Sequence, residues 1–313
     1  MRPFQFLAEA SDVLDGRRLA ETARRAEAIG YSGLVFTDHL LDQLAPIPAM
    51  ATVAAATERL RVGTFVINND LRHPAMLAQD LATIDVLSAG RLDIGIGAGW
   101  NEPEYRAIGV PFEPIGRRVA RLTEAVAILK GAFAGEPFTF EGEHYRVEAL
   151  EGRPLPAQRP RPPFLVGGGG RRILTLAARE ADIVGLAPRI LPSGRTDPRS
   201  LTLEAAEEKV AWVREAAGRR FDTLVINVYP SVSPVIVTDR PRAEAGRLAD
   251  RLLARTGIAI APEELLESPH IWMGSIDGLT EKVRTLRERL GVTSFMLGGV
   301  DELAPLVERL AGS

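Results

Sequence analysis

Short apolar runs of the kind that fill buried strands alternate eight times with longer amphipathic stretches, and this alternation constrains the fold more than any other feature of the chain. The runs fall at residues 4–8, 34–36, 61–67, 92–96, 164–166, 183–186, 224–228 and 293–297. Between them apolar residues recur at helical spacing: Leu19, Ala20, Ala23, Ala26 and Ile29 share one face of the stretch 17–29, which Gly30 closes. The same reasoning predicts helices over 47–56, 74–87, 117–133, 171–179, 201–217, about 242–266, 279–290 and 305–310. Eight such units in one series predict an α/β protein, a (β/α)8 TIM barrel with insertions. A doubly wound sheet is the runner-up, but it does not usually run through eight units unbroken. The 313 residues suit a single barrel domain over 1–313.

The rhythm breaks once, at about 136–163. Segments 138–140 and 145–147 flank Glu141-Gly142-Glu143, which predicts a small hairpin. Pro154, Pro156, Pro160, Pro162 and Pro163 follow as an extended connector, read as an insertion rather than a domain linker.

A net charge of −3 leaves no electrostatic footprint for nucleic acid. Cysteine is absent, which removes disulfides, thiol nucleophiles, cysteine zinc sites and iron–sulfur clusters from consideration and fits a cytoplasmic protein. Acidic Glu9 and Asp12 come before any long apolar run, so no signal peptide is expected, and no run reaches the ~18 apolar residues of a membrane span. The four histidines (His39, His73, His144, His270) are scattered, with no metal-ligand spacing.

In a barrel of this kind the chemistry sits at the C-terminal ends of the strands. After the second strand come Thr37-Asp38-His39. His39 is a candidate acid or base near neutral pH, and Asp38 is a candidate to orient it or to cap the next turn. After the third come Asn68, Asn69, Asp70, Arg72 and His73, which read first as ordinary loop and cap residues before Pro74 and otherwise as pocket lining. The fourth runs into Gly95-Ile96-Gly97-Ala98-Gly99-Trp100, whose glycines permit close approach of a ligand. The third glycine falls one residue early for a dinucleotide fingerprint, and Trp100 either stacks on a planar ligand or fills the barrel mouth. After the fifth strand, Gly167, Gly168, Gly169, Gly170 and Arg171 open a helix and predict a phosphate cradle, with a flexible turn as the plainer reading.

These residues resemble the luciferase-like monooxygenase superfamily, which contains bacterial luciferase and the coenzyme F420-dependent oxidoreductases. The likeness runs in order through Ala26-Glu27-Ala28-Ile29-Gly30-Tyr31, Thr37-Asp38-His39, Arg72-His73-Pro74, Asp85-Val86-Leu87-Ser88-Ala89-Gly90-Arg91-Leu92, the Gly95–Trp100 segment and Val166-Gly167-Gly168-Gly169-Gly170, and leans to the F420-dependent branch. The resemblance implies a homodimeric, bacterial luciferase-like barrel binding F420, or alternatively FMN, at its mouth. It implies a non-prolyl cis peptide at Phe65–Val66 behind the cofactor ring, with Asn68 beside it. It gives the reacting face to His39 and Asp38, and the cofactor tail and phosphate to Ala98, Gly99 and the four-glycine loop. Sugar-phosphate dehydrogenases of the family place a Trp and a Glu where Gln43 and Trp100 stand here. The implied substrate is therefore not a glucose phosphate, and that Glu is not the proton donor. The expected activity is hydride transfer between F420 and a small organic substrate, reducing an activated C=C or C=N bond. The alternatives are an FMN-dependent monooxygenase fed by a partner reductase, and a flavin-binding protein without catalysis.

Overall fold

The computed structural model describes residues 2–191 and 194–313. The barrel strands are β1 (Gln5–Glu9), β2 (Gly33–Phe36), β3 (Arg61–Thr64), β4 (Leu92–Gly97), β5 (Phe164–Gly168), β6 (Ile183–Leu186), β7 (Val225–Val228) and β8 (Val292–Met296). Their order in the sheet is β3-β2-β1-β8-β7-β6-β5-β4, with Ile67–Asn68 adding to β4 and β3 also pairing with β4. The sheet therefore closes on itself as an eight-stranded parallel barrel, the (β/α)8 fold that the alternation predicts. Every residue of β2 and of β8 is buried, which is why such strands read as unbroken apolar runs rather than as alternating ones.

Two compact units divide the chain. One comprises Ala10–Glu27 and Gly33–Val166; the other comprises Gly167–Ser313 with Ala28–Ser32 and the N-terminal residues up to Glu9.

In the unit of Gly33–Val166, the stretch 85–92 serves the scaffold. Ala89 and Gly90 turn the chain at φ +54° and +82° after the helix Pro74–Leu87. Arg91 then points its guanidinium at the end of the helix Pro46–Ala56, donating to the carbonyls of Ala54 and Leu60 at 2.7 Å and to Thr57 Oγ1 at 3.0 Å. A fixed cation satisfies carbonyls that the helix leaves without partners. Asp85, fully buried, accepts from the backbone N–H (2.8 Å) and Nε2 (2.7 Å) of Gln158 and so pins the proline-rich connector. The predicted hairpin forms from Phe138–Glu141 and Arg146–Leu150. Its turn is held to the helix Ile115–Ala134 by Glu124, whose carboxylate accepts the N–H groups of Glu143, His144 and Tyr145 at 2.9–3.0 Å.

In the other unit, the helix expected over about 242–266 is two, Pro241–Thr256 and Pro262–Glu267, because Gly257 takes φ +70° and Pro262 opens a new first turn. They enclose a small core of Leu201, Leu248, Leu252, Leu265, Ile271 and Met273. A short parallel ladder of Ile236–Val237 with Met273–Gly274, too brief to carry a periodic signal, lies beside it. No helix among the described residues is long and apolar enough to cross a membrane.

His270 is fully buried here, its Nδ1 donating to the Tyr229 carbonyl at 3.2 Å and its Nε2 without a partner among the described residues. Burial, reinforced by the Lys209 charge, pushes its pKa down to about 3. Between pH 6.5 and 3 the unfolded chain thus binds a proton that the folded chain refuses, so this group withdraws stability as the pH falls through that window. The expected loss approaches a few kcal/mol near pH 3. In urea melts from pH 7 to 4, His270→Asn is expected to flatten the acid-side decline; an unchanged slope would assign that decline to carboxylates alone.

Candidate active site

The site in the Gly33–Val166 unit starts where β2 ends. Gln43 folds back on Thr37, donating from Nε2 to its carbonyl and accepting its hydroxyl proton, both at 2.9 Å, so the loop after the strand is fixed. Asp38 is buried, and its carboxylate is fully engaged: Arg72 grips it in bidentate fashion, with Nη2 at 2.9 Å from Oδ1, and the Asn68 N–H reaches Oδ2 at 2.9 Å. Asp38 therefore does not orient His39, contrary to that sequence expectation. It locks the loop after β2 to the segment after β3.

The orienting carboxylate is Glu104. His39 Nδ1 lies 3.1 Å from both of its oxygens, and the Leu40 N–H donates to Oε1 at 3.2 Å. A carboxylate can only accept, so Nδ1 carries the proton and Nε2 is left as the working nitrogen. Nε2 makes no hydrogen bond among the described residues. Glu104 is only 5% exposed and sits in the first turn of a short helix, Glu102–Ala107, that the periodicity does not reveal. The run Asn101-Glu102-Pro103-Glu104 carried the signal: a cap-type residue, then Pro and acids in a first turn. The imidazole rests edge-on against Trp100, with ring centroids 5.4 Å apart at 76°.

Behind this pair, the Phe65–Val66 peptide is cis, and Val66 packs where only Gly95 and Gly97 leave room for it. The Tyr105 hydroxyl stands 3.0 Å from Asn68 Oδ1, 3.1 Å from Asp70 Oδ2 and 3.4 Å from the Ala98 carbonyl. Burial and the Asp70 charge push its pKa up to about 12, so it stays protonated. Arg118 holds the carbonyls of Ala98 and Gly99. Asp70 pairs with Arg121 at 3.0 Å, and Arg121 in turn with Glu113. Asp70, Arg72, His73, Val110, Arg121 and Tyr145 line an open cavity of about 470 Å3. His73 faces it as a helix cap, accepting the Ala75 N–H at 3.2 Å.

In the other unit the four-glycine loop leads from β5 into the helix Arg171–Glu180. A Cβ at Gly167 would lie 2.7 Å from the Gly185 carbonyl oxygen and one at Gly169 2.4 Å from that of Pro188, so these glycines permit close chain approach. Gly170 is the helix N-cap, with no side-chain cap and open space where a Cβ would stand. Its first-turn N–H groups suit an anion. Arg171 points at Glu215 (2.7 Å) in an exposed ion pair, so the backbone, rather than this guanidinium, is the better phosphate donor.

Residues 3–292 match the model of the luciferase-like monooxygenase family. The chain belongs to that family. It is an enzyme of the luciferase-like oxidoreductase class, on the F420 branch. An F420-dependent glucose-6-phosphate dehydrogenase of Nakamurella multipartita is 33% identical over 250 residues, 77% of this chain and 70% of that protein. An FMNH(2)-dependent dimethylsulfone monooxygenase of Pseudomonas putida is 37% identical over 128 residues, 41% of this chain and 35% of that protein. In fold the chain resembles the coenzyme F420-dependent tetrahydromethanopterin reductase of Methanopyrus kandleri, with a TM-score of 0.77, 19% identity and 98% of each chain covered.

Proposed function

We propose that the protein transfers a hydride between coenzyme F420 and a small organic substrate, reducing an activated C=C or C=N bond. One observation carries the proton half of this chemistry: His39, held by Glu104 through Nδ1, has Nε2 free at the mouth of the site. Glu104 can accept from Nδ1 in both protonation states, so the ring keeps its orientation while Nε2 gains or gives up a proton. When bound, the reduced deazaflavin supplies the hydride and is oxidised by two electrons. The accompanying proton then comes from His39 Nε2 and completes the second new bond to hydrogen as the substrate's π bond is lost.

The residues fit such a cofactor. Phe65, Val66, Asn68, Ala98 and Gly99 would hold the ring, with Trp100 standing beside His39 at its open side and Asp38 fixing the loop beneath His39. The uncapped amides at Gly170, with Gly167, Gly168, Gly169 and Arg171, would take the phosphate-bearing tail. The same reading makes the protein a single-domain cytoplasmic homodimer.

The second reading, an FMN-dependent monooxygenase served by a reductase, is favoured by the likeness to the Pseudomonas protein. Anaerobic fluorescence titration with reduced F420 and with FMN separates them. Tight F420 with weak FMN binding is expected. The reverse order would replace the proposal with the oxygenase, and oxygen uptake would then be the assay.

A further inference from the structure

Trp100 does not fill the barrel mouth. It leaves the end of β4 with 60% of its surface exposed, its ring fixed against His39. Leu40 and Leu41, directly after His39, are 55% and 63% exposed. The two segments that meet at His39 thus carry exposed apolar side chains, a surface that a planar, apolar group would cover in use.

The surrounding charges narrow the occupant. Two cations of the site are engaged: Arg72 by Asp38, Arg118 by the carbonyls of Ala98 and Gly99. The acids flanking the patch, Asp42 and Glu102, face solvent and would repel an anion. Glu104 is turned inward and engaged by His39 and Leu40. Segments 39–43 and 98–104 carry no Lys or Arg of their own to receive a phosphate or carboxylate, and Arg106 stands exposed in the last turn of the short helix.

We infer that Trp100, with Leu40 and Leu41, forms an apolar seat that selects a neutral, aryl-substituted unsaturated carbonyl or imine and lays its double bond beside His39. This rests on the F420 reading above and adds the substrate class. An aromatic substituent gains an offset or edge contact with the indole beyond the area it buries.

The test is calorimetric binding to protein loaded with oxidised F420, which cannot turn over. The ligands are 4-phenylbut-3-en-2-one, its methyl analogue pent-3-en-2-one, and glucose 6-phosphate. The phenyl compound is expected to bind about tenfold more tightly than the methyl compound, and glucose 6-phosphate more weakly than either. Trp100→Ala is expected to bring the two enones to near parity while F420 is retained, and Trp100→Phe to keep most of the preference. Equal affinities in the wild type, an unchanged preference in Trp100→Ala, or tighter glucose 6-phosphate binding would overturn the seat. So would loss of F420 from Trp100→Ala, which would put the indole under the cofactor, or loss of self-association in sedimentation, which would put it under a second copy. If the wild type takes no F420, the cofactor reading fails instead, and the phenyl-over-methyl comparison on the ligand-free protein still decides the seat.

Discussion

His39→Ala is expected to lower kcat by about 10²–10⁴-fold while leaving the F420 dissociation constant within about threefold of the wild type. The drop follows from the scarcity of other proton sources at the site. Asp38 is locked by Arg72 and the Asn68 amide, and Glu104 faces His39 and the Leu40 N–H. The Tyr105 hydroxyl is buried, with a pKa pushed up to about 12. The cofactor constant holds because the groups proposed to carry ring and tail lie elsewhere. Steady-state turnover with imidazole added to the variant is the check: partial recovery identifies the missing function as the proton itself. Full turnover without imidazole would remove His39 from the mechanism and the proton half of the proposed function with it.

The elements of the barrel were legible because their signal is local. The helix Pro74–Leu87 and the strand Ile183–Leu186 sit where periodicity and punctuation predict them. Strand three was less so: expected over 61–67, it stops at Thr64 and resumes at Ile67–Asn68 around the cis peptide. Strand-end logic found His39 and Trp100 because a barrel delivers such residues to one face. It could not find Glu104, whose meaning is a partner 65 positions away. The choice between the two readings of Asp38 is closed to the sequence for the same reason. The residue's character as an orienter or a loop lock depends on Arg72, 34 positions on, and no spacing rule connects them. The Ser-Ala-Gly-Arg stretch shows the converse case: it was conspicuous as a signature, yet its work is to close a helix formed over thirty residues earlier.

Gly99→Ala is expected to cost about 3–5 kcal/mol, about 1–2 kcal/mol of it through the Tyr105 hydroxyl and the rest through the left-handed backbone and the Asn68 contact. Gly99 sits at φ +71°, where a Cβ is disfavoured, and that Cβ would fall 1.8 Å from the Tyr105 hydroxyl and 2.7 Å from Asn68 Oδ1. The tyrosine has no room to yield: it is fully buried and packs edge-on against Phe112 at 5.0 Å, while Arg118 covers that ring at 3.9 Å. The substitution must therefore pull the hydroxyl from Asn68 and Asp70 and leave the buried oxygen that accepts its proton without that donor. Chemical denaturation of Gly99→Ala, Tyr105→Phe and the double variant checks this. Removing the hydroxyl removes the clash, so the double variant is expected to be about 1–2 kcal/mol more stable than the sum of the single changes predicts. Strict additivity would show that the loop after β4 relaxes away from Tyr105 instead. Turnover should follow stability, because Glu104 and Tyr105 are neighbours in one helical turn, and a displaced hydroxyl shifts the carboxylate that holds His39. Stability regained without turnover would mean that the proton-transfer pair and the buried hydroxyl network are held independently.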